Sequence, residues 1–212
     1  MKLFLASSNP GKLREYMELA RGSGVTIELL PRFGEFPAFE ESAPTFAENS
    51  AGKALHYSRF TDGAVLADDS GLVVPALGGA PGVHSARYAG PGAPDADRVQ
   101  KLLREMRGKQ GAERRARFVC VTAVAQAGRA IAVVSDLAHG LITEEPRGAG
   151  GFGYDPVFLF EELGRTYAEL TRDEKNAYSH RGKCFSKLLY MLPLDNAAPS
   201  RRAGASNSLL TK

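Results

Sequence analysis

Two adjacent carboxylates and a hydroxyl, Asp68-Asp69-Ser70, stand between the apolar runs Ala64 to Ala67 and Leu72 to Val74. That pattern reads as a buried strand delivering Asp68 and Asp69 to its exposed end, with Gly71 letting the chain turn. Carboxylates so placed hold a metal or a water; the competing reading is a polar turn in which an aspartate bonds its own backbone. Successive strand residues point to opposite faces, so one of the two faces any given cleft. Upstream, Ser7-Ser8-Asn9-Pro10-Gly11-Lys12 reads as a strand-to-helix turn, with Asn9 as N-cap and Pro10 at the first helical position. Free amides at such a turn form an anion site, and Lys12 in the first turn is disfavoured by the helix dipole unless an anion is present. A surface pair of Lys12 with Glu15 or Glu18 is the alternative. The stretch is not a P-loop, because Ala6 and Leu13 occupy positions that the motif reserves for Gly and Ser or Thr.

Three further stretches carry charge or aromatic rings in unusual places. An irregular acidic loop, Glu35 to Pro44, contains Glu40 and Glu41. Thr45-Phe46-Ala47-Glu48 then reads as a capping box opening a helix to about Phe60, which gives Glu48 a structural task. Thr45, Asn49 and Lys53 share one face of that helix, where an Asn and a Lys either meet a phosphate or are simply solvated. A glycine-rich loop, Gly148 to Pro156, carries Phe152, Gly153, Tyr154 and Asp155; its rings suit base stacking or a packed hairpin tip. Downstream of Lys175, Ser179 caps the last helix, leaving His180 and Arg181 at the positive end of its dipole, a cost of the kind ligand sites carry.

The elements needed to position these groups follow from pattern. Strands are expected at Lys2 to Ala6 and Val25 to Leu30, and Arg117 to Gln126 with Ala130 to Ala138 form a hairpin about Gly128. Asp95 to Met106 is an amphipathic helix with Val99, Leu102, Leu103 and Met106 on its apolar side. Leu77 to Tyr88 is a first glycine-rich loop with no dinucleotide fingerprint. The 212 residues suit one domain over residues 1–192 and a mobile polar tail over 193–212. A net charge of +3 is too small to argue for nucleic acid, and the basic cluster Arg114 to Arg117 reads as a solvated strand entrance. No apolar run approaches the ~20 residues of a membrane span. The N-terminal apolar run is too short for a signal peptide. Cys120 and Cys184 lack a motif spacing and fit a reducing compartment. A cytoplasmic protein is expected.

Ser7 to Lys12, Thr45 to Asn49, Ala67 to Leu72, Phe152 to Pro156 and Ser179 to Gly182 occur in this order. Together, and with Leu77 to Gly90, they resemble the non-canonical purine nucleoside triphosphate pyrophosphatases, the inosine triphosphatase family. The resemblance spans about Leu3 to Leu192. It implies an elongated, two-lobed α/β fold with a central mixed sheet and an inter-lobe cleft, usually in a homodimer. It also implies Mg²⁺-dependent hydrolysis of ITP, dITP or XTP at the α–β bond to a nucleoside monophosphate and pyrophosphate, which removes deaminated purines from the nucleotide pool.

Carried onto this chain, the resemblance implies that Asp69 is the base acting on the attacking water and, with Glu40 ahead of Glu41, a Mg²⁺ ligand. Ser7, Ser8, Asn9, Pro10, Gly11, Lys12, Lys53 and Ser70 would receive the phosphates. Phe152 would stack on the purine, with Gly153, Tyr154 and Asp155 along its edge. Lys175, His180 and Arg181 would donate toward a 6-keto oxygen, which adenine lacks. Two rivals remain open. One is the related pyrophosphatase family for modified pyrimidine or methylated nucleotides, which has a similar fold and opening strand-helix turn but whose other motifs are not found here. The other is a catalytically silent nucleotide-binding protein, against which the carboxylates argue.

Overall fold

The computed structural model describes residues 1–192, and the expected tail lies outside them. Seven strands form one mixed sheet in the order β2-β1-β3-β4-β5-β6-β7. The strands are β1 (Lys2–Leu5), β2 (Thr26–Leu29), β3 (Ala64–Val73), β4 (Arg115–Gln126), β5 (Arg129–Ile142), β6 (Phe158–Phe160) and β7 (Arg165–Thr166). The first three are parallel, joined through α1 (Pro10–Leu19) and α2 (Phe46–Tyr57). From β3 onward every pairing is antiparallel. The remaining helices are α3 (Asp95–Glu105), α4 (Arg172–Tyr178) and α5 (His180–Met191).

Apolar packing gathers in three clusters about the long central strands. One joins Leu3, Leu5 and Leu66 to Tyr16, Phe185 and Leu188 of α1 and α5. On the opposite face of β3, where alternate side chains point, α2 covers Val65 and Ala67 through Ala54 and Tyr57. The third lies further along the Leu66 face and joins Leu72 and Phe118 to Val99 and Leu102 of α3, to Met106 just after it, and to Phe158 and Tyr167. Helix α3 is thus held by the residues its periodicity marked.

The largest departure from expectation lies in β3. Its carboxylates do not cap a strand end; Asp68 and Asp69 sit in mid-strand, opposite Thr122 and Val121 of β4. The opening is made on the other edge, where β1 pairing stops at Leu5↔Leu66 and the chain leaves for α1. One edge of β3 stays paired while the other is uncovered beside the carboxylates. Gly71 is needed for close approach rather than a turn: a Cβ there would stand 2.5 Å from the Gly82 carbonyl oxygen and press on Ser85. Two smaller differences concern α2 and the basic cluster. Helix α2 ends at Tyr57. Arg114 is no solvated entrance residue, since its guanidinium donates to the carbonyls of Met106, Lys109, Ile142 and Thr143.

Candidate active site

The uncovered edge of β3 opens into a cleft. Asn9, Lys12, Glu41, Asp69, Ser70, Arg87, Phe152, Gly153, Tyr154, Asp155, Lys175, His180 and Arg181 contribute to its wall. Residues from six separated stretches therefore meet in one place.

The turn into α1 is built as its sequence suggests. Asn9 Oδ1 accepts from the amides of Gly11 (2.8 Å) and Lys12 (3.2 Å), and Ser7 Oγ accepts from the Asn9 amide. Lys12 takes neither helix-surface partner; its ammonium lies 3.0 Å from Asp68 Oδ1. Gly11 has a contact reason, because a Cβ there would lie 2.7 Å from the Phe152 ring.

The two aspartates have opposite environments. Asp68 is fully buried between Lys12 and Arg181, whose NH2 lies 3.1 Å from Oδ2. Burial alone would raise its carboxyl, but Lys12 and Arg181 outweigh that and hold it well below the usual carboxylate range. Asp69 accepts from Asn49 Nδ2 at 3.0 Å. Burial, with the negative charges of Glu41 and Asp68, raises it to about 6 against the pull of Lys12 and Asn49. The two neighbouring carboxyls are thus pushed apart, Asp68 held as an anion and Asp69 raised toward neutrality.

Of the acidic-loop pair it is Glu41 that lines the cleft, while Glu40 is exposed. Lys53 reaches Glu41 Oε1 at 2.6 Å and so borders the cleft through that carboxylate. Thr45 caps α2, but Glu48 accepts from the Thr45 hydroxyl (2.6 Å) in place of the backbone bond a full capping box would have.

The far wall is a network that sequence reasoning found in part. Lys175 is buried against Asp155 and lies 2.6 Å from Glu15. Burial opposes its charge, yet Asp155 and Glu15 outweigh it and hold the ammonium protonated. Glu15, absent from the expected site, also receives Arg181 NH1 at 2.5 Å. Its signal was available: it falls one turn after Lys12 on α1, but pairing across 166 positions has no local trace. Arg181 NH2 also donates to Ser70 Oγ at 2.8 Å. Phe152 carries Lys175 Nζ 4.9 Å from its centroid and Arg181 at 5.7 Å. Tyr154 donates its hydroxyl to the Ser85 carbonyl at 2.9 Å, and the Gly153 amide donates to Asp95. Ser179 caps α5 through the Gly182 amide. His180 does not present a cation. Its ring stacks on Phe118 at 4.6 Å and 8°, and burial, then Arg181 and Lys175, depress it well below the ordinary histidine range.

Among the described residues no three His, Cys, Asp or Glu side chains group to hold an ion unaided. Asp69 and Glu41 nonetheless present two hard oxygen donors to one cleft, the set Mg²⁺ uses when substrate phosphates supply the other ligands.

A mixed α/β sheet whose uncovered strand edge faces acidic and basic groups across one cleft has the architecture of an α/β small-molecule-binding protein. A family model describing the Ham1 family matches residues 3–191, and the chain belongs to that family. It is 51% identical over 187 residues to a dITP/XTP pyrophosphatase of Geobacillus kaustophilus, covering 88% of this chain and 92% of that protein. It is 43% identical over 188 residues to the dITP/XTP pyrophosphatase of Bacillus subtilis, covering 89% and 95%. A solved HAM1 protein from Coxiella burnetii superposes with TM-score 0.78 at 42% identity, covering 90% and 97%. The fold class expected from sequence is therefore the observed one.

Proposed function

We propose that the protein hydrolyses non-canonical purine nucleoside triphosphates, dITP, ITP and XTP, to the monophosphate and pyrophosphate in the cytoplasm. The single observation that carries this reading is the raised Asp69 carboxyl facing, in one cleft, the Asn9–Lys12 anion turn and Glu41. The relatives' names supply the substrate class.

The Asn9 turn and Lys12 bind the phosphate chain, with Lys53 alongside Glu41. Asp69, held by Asn49, accepts the proton of the attacking water. Asp69 and Glu41 would hold Mg²⁺, which would supply neutralisation of the charge on the phosphates. Phe152 offers its face to the purine. The charged Lys175 and Arg181 present donors to a 6-keto oxygen, and adenine's amino group would leave such buried donors unpaired. A homodimer is proposed as well. Ile131, Val133 and Leu137 stand exposed along one face of β5 and suit it, and a solution mass of one chain would refute it.

A panel of triphosphates tests the reading. Pyrophosphate release from dITP and XTP should exceed that from dATP by at least about 100-fold, the range a mispaired hydrogen-bonding site gives. Equal rates for dATP, or preference for a modified pyrimidine, would overturn it.

A further inference from the structure

The loop that carries Phe152 has little stiffness of its own. Gly151 and Gly153, on either side of the ring, stand at φ 73° and 64°, where a side chain is strained. Such a backbone keeps its ring in one place only if other groups hold it. Part of the hold is local, since the Phe152 amide donates to Asp155 Oδ2 at 2.8 Å. Two tethers come from distant parts of the chain. Tyr154 donates to the Ser85 carbonyl in a 3₁₀ turn, Gly82–Arg87, and Ser85 Oγ clamps that turn to β3 by accepting from the Leu72 amide at 2.9 Å. The second tether is Asp95, whose Oδ2 accepts from the Gly153 amide at 2.6 Å.

Asp95 has no task in the chemistry proposed above. It opens α3, and among the described residues its carboxylate serves the Gly153 amide and the Arg98 guanidinium. Arg98 donates in turn to the Ala86 carbonyl of the 3₁₀ turn. Loop, turn and helix are thereby joined in one ring of contacts. The mount beneath is firm, because Val99 and Leu102 of α3 are buried in the core. The Phe152 ring itself has little slack. A Cβ on Gly11 would stand 2.7 Å from it, and Lys175 Nζ lies 4.9 Å from its centroid.

We propose that Asp95 is a positioning residue for base recognition: it fixes the Phe152–Gly153 backbone so that the ring meets the purine in one orientation. This rests on Phe152 being the stacking ring, as proposed above. Phe152 touches the base and Asp95 acts through it. A ring held in place before binding has less ordering to lose when the nucleotide arrives. That benefit belongs to the base half of the substrate and leaves the phosphate half unaffected. Stacking is made before the reaction as well as during it, so the benefit falls on KM more than on kcat.

The test is a double-mutant cycle on the full chain, with wild type, Asp95→Ala, Phe152→Ala and the double variant titrated calorimetrically with dIMP and with pyrophosphate in excess Mg²⁺. Asp95→Ala should weaken dIMP binding about threefold to tenfold, the range of one hydrogen bond, and leave pyrophosphate affinity within about twofold. With Phe152 already removed, the same substitution should change dIMP affinity by less than about twofold. Asp95→Asn, which keeps an oxygen for the Gly153 amide, should recover most of the loss. In dITP turnover, Asp95→Ala should raise KM more than it lowers kcat. Unchanged dIMP affinity in Asp95→Ala, where Phe152→Ala does lose it, would overturn the proposal. So would a loss that persists in full without Phe152, or an equal loss for pyrophosphate, which marks a collapsed cleft. If Phe152→Ala itself leaves dIMP affinity unchanged, the stacking reading falls and takes this proposal with it. A wild type that binds dIMP through Asp95 and Phe152 but releases no pyrophosphate from dITP keeps the positioning role and loses the reaction.

Discussion

Charge in this cleft is partitioned by depth, and single side chains show how. Asp68 is neutralised by Lys12 and Arg181 in the interior, whereas Asp69 keeps a raised carboxyl and a single Asn49 donor toward the opening. His180 belongs to the interior set. Its neutral ring stacks on Phe118, and Nδ1 has no hydrogen-bond partner among the described residues. A histidine whose folded value lies below its unfolded one favours folding above about pH 6.5, and that contribution is lost as pH falls. Asp69 acts in the opposite sense, since a carboxyl raised to about 6 increasingly favours the folded state as pH falls below that value. Comparing wild type with His180→Gln cancels the Asp69 part. The stability difference between them should shift against wild type by up to about 1.4 kcal/mol per pH unit below 6.5, read from urea midpoints at pH 7.5 and 5.5. A pH-independent difference would contradict a neutral buried imidazole. From sequence, His180 and Arg181 were recognisable as misplaced cations at a helix start. That one of them is uncharged was not, because the stacking partner Phe118 comes from a strand 62 positions away.

Caps and turns were the most legible elements, since each depends on neighbours within four residues. Asn9 and Ser179 perform the capping their types suggest. Strand β3 was misread for the converse reason. A run of Asp, Asp, Ser and Gly has the local chemistry of a turn, but continuous pairing to β4 overrides it. Gly71 carries the consequence. Gly71→Ala should drive the Gly82–Arg87 turn off the strand and cost about 1–3 kcal/mol, the usual range for overpacking a tight contact. Chemical denaturation measures it, and an unchanged midpoint would show that strand and turn are not in close contact. Glu41 over Glu40, and the Glu15 bridge, were beyond local pattern, because the fold alone decides which acidic residue faces inward.

The molecule as a whole opens its cleft where β1 stops and β3 continues, between two apolar clusters packed along one face of the sheet. Parallel strands bring the Asn9–Lys12 turn to the cleft at their carboxyl ends, a frequent location for ligand sites in open α/β sheets, while the antiparallel half brings the Phe152 loop and the start of α5 to the same cleft. Motif order along the chain made the family legible; the ion-pair wiring across the cleft was not, since it joins residues more than a hundred positions apart. On the proposed reading, proton transfer falls to Asp69 alone. The most direct test follows dITP by phosphorus NMR with Mg²⁺ present, for wild type and Asp69→Asn. Wild type should give dIMP and pyrophosphate in equal amounts. Asp69→Asn should still bind the nucleotide but turn over slower by about 10²–10⁴-fold, the usual contribution of a general base. Orthophosphate as the product, or an Asp69→Asn enzyme as fast as wild type, would contradict the assignment.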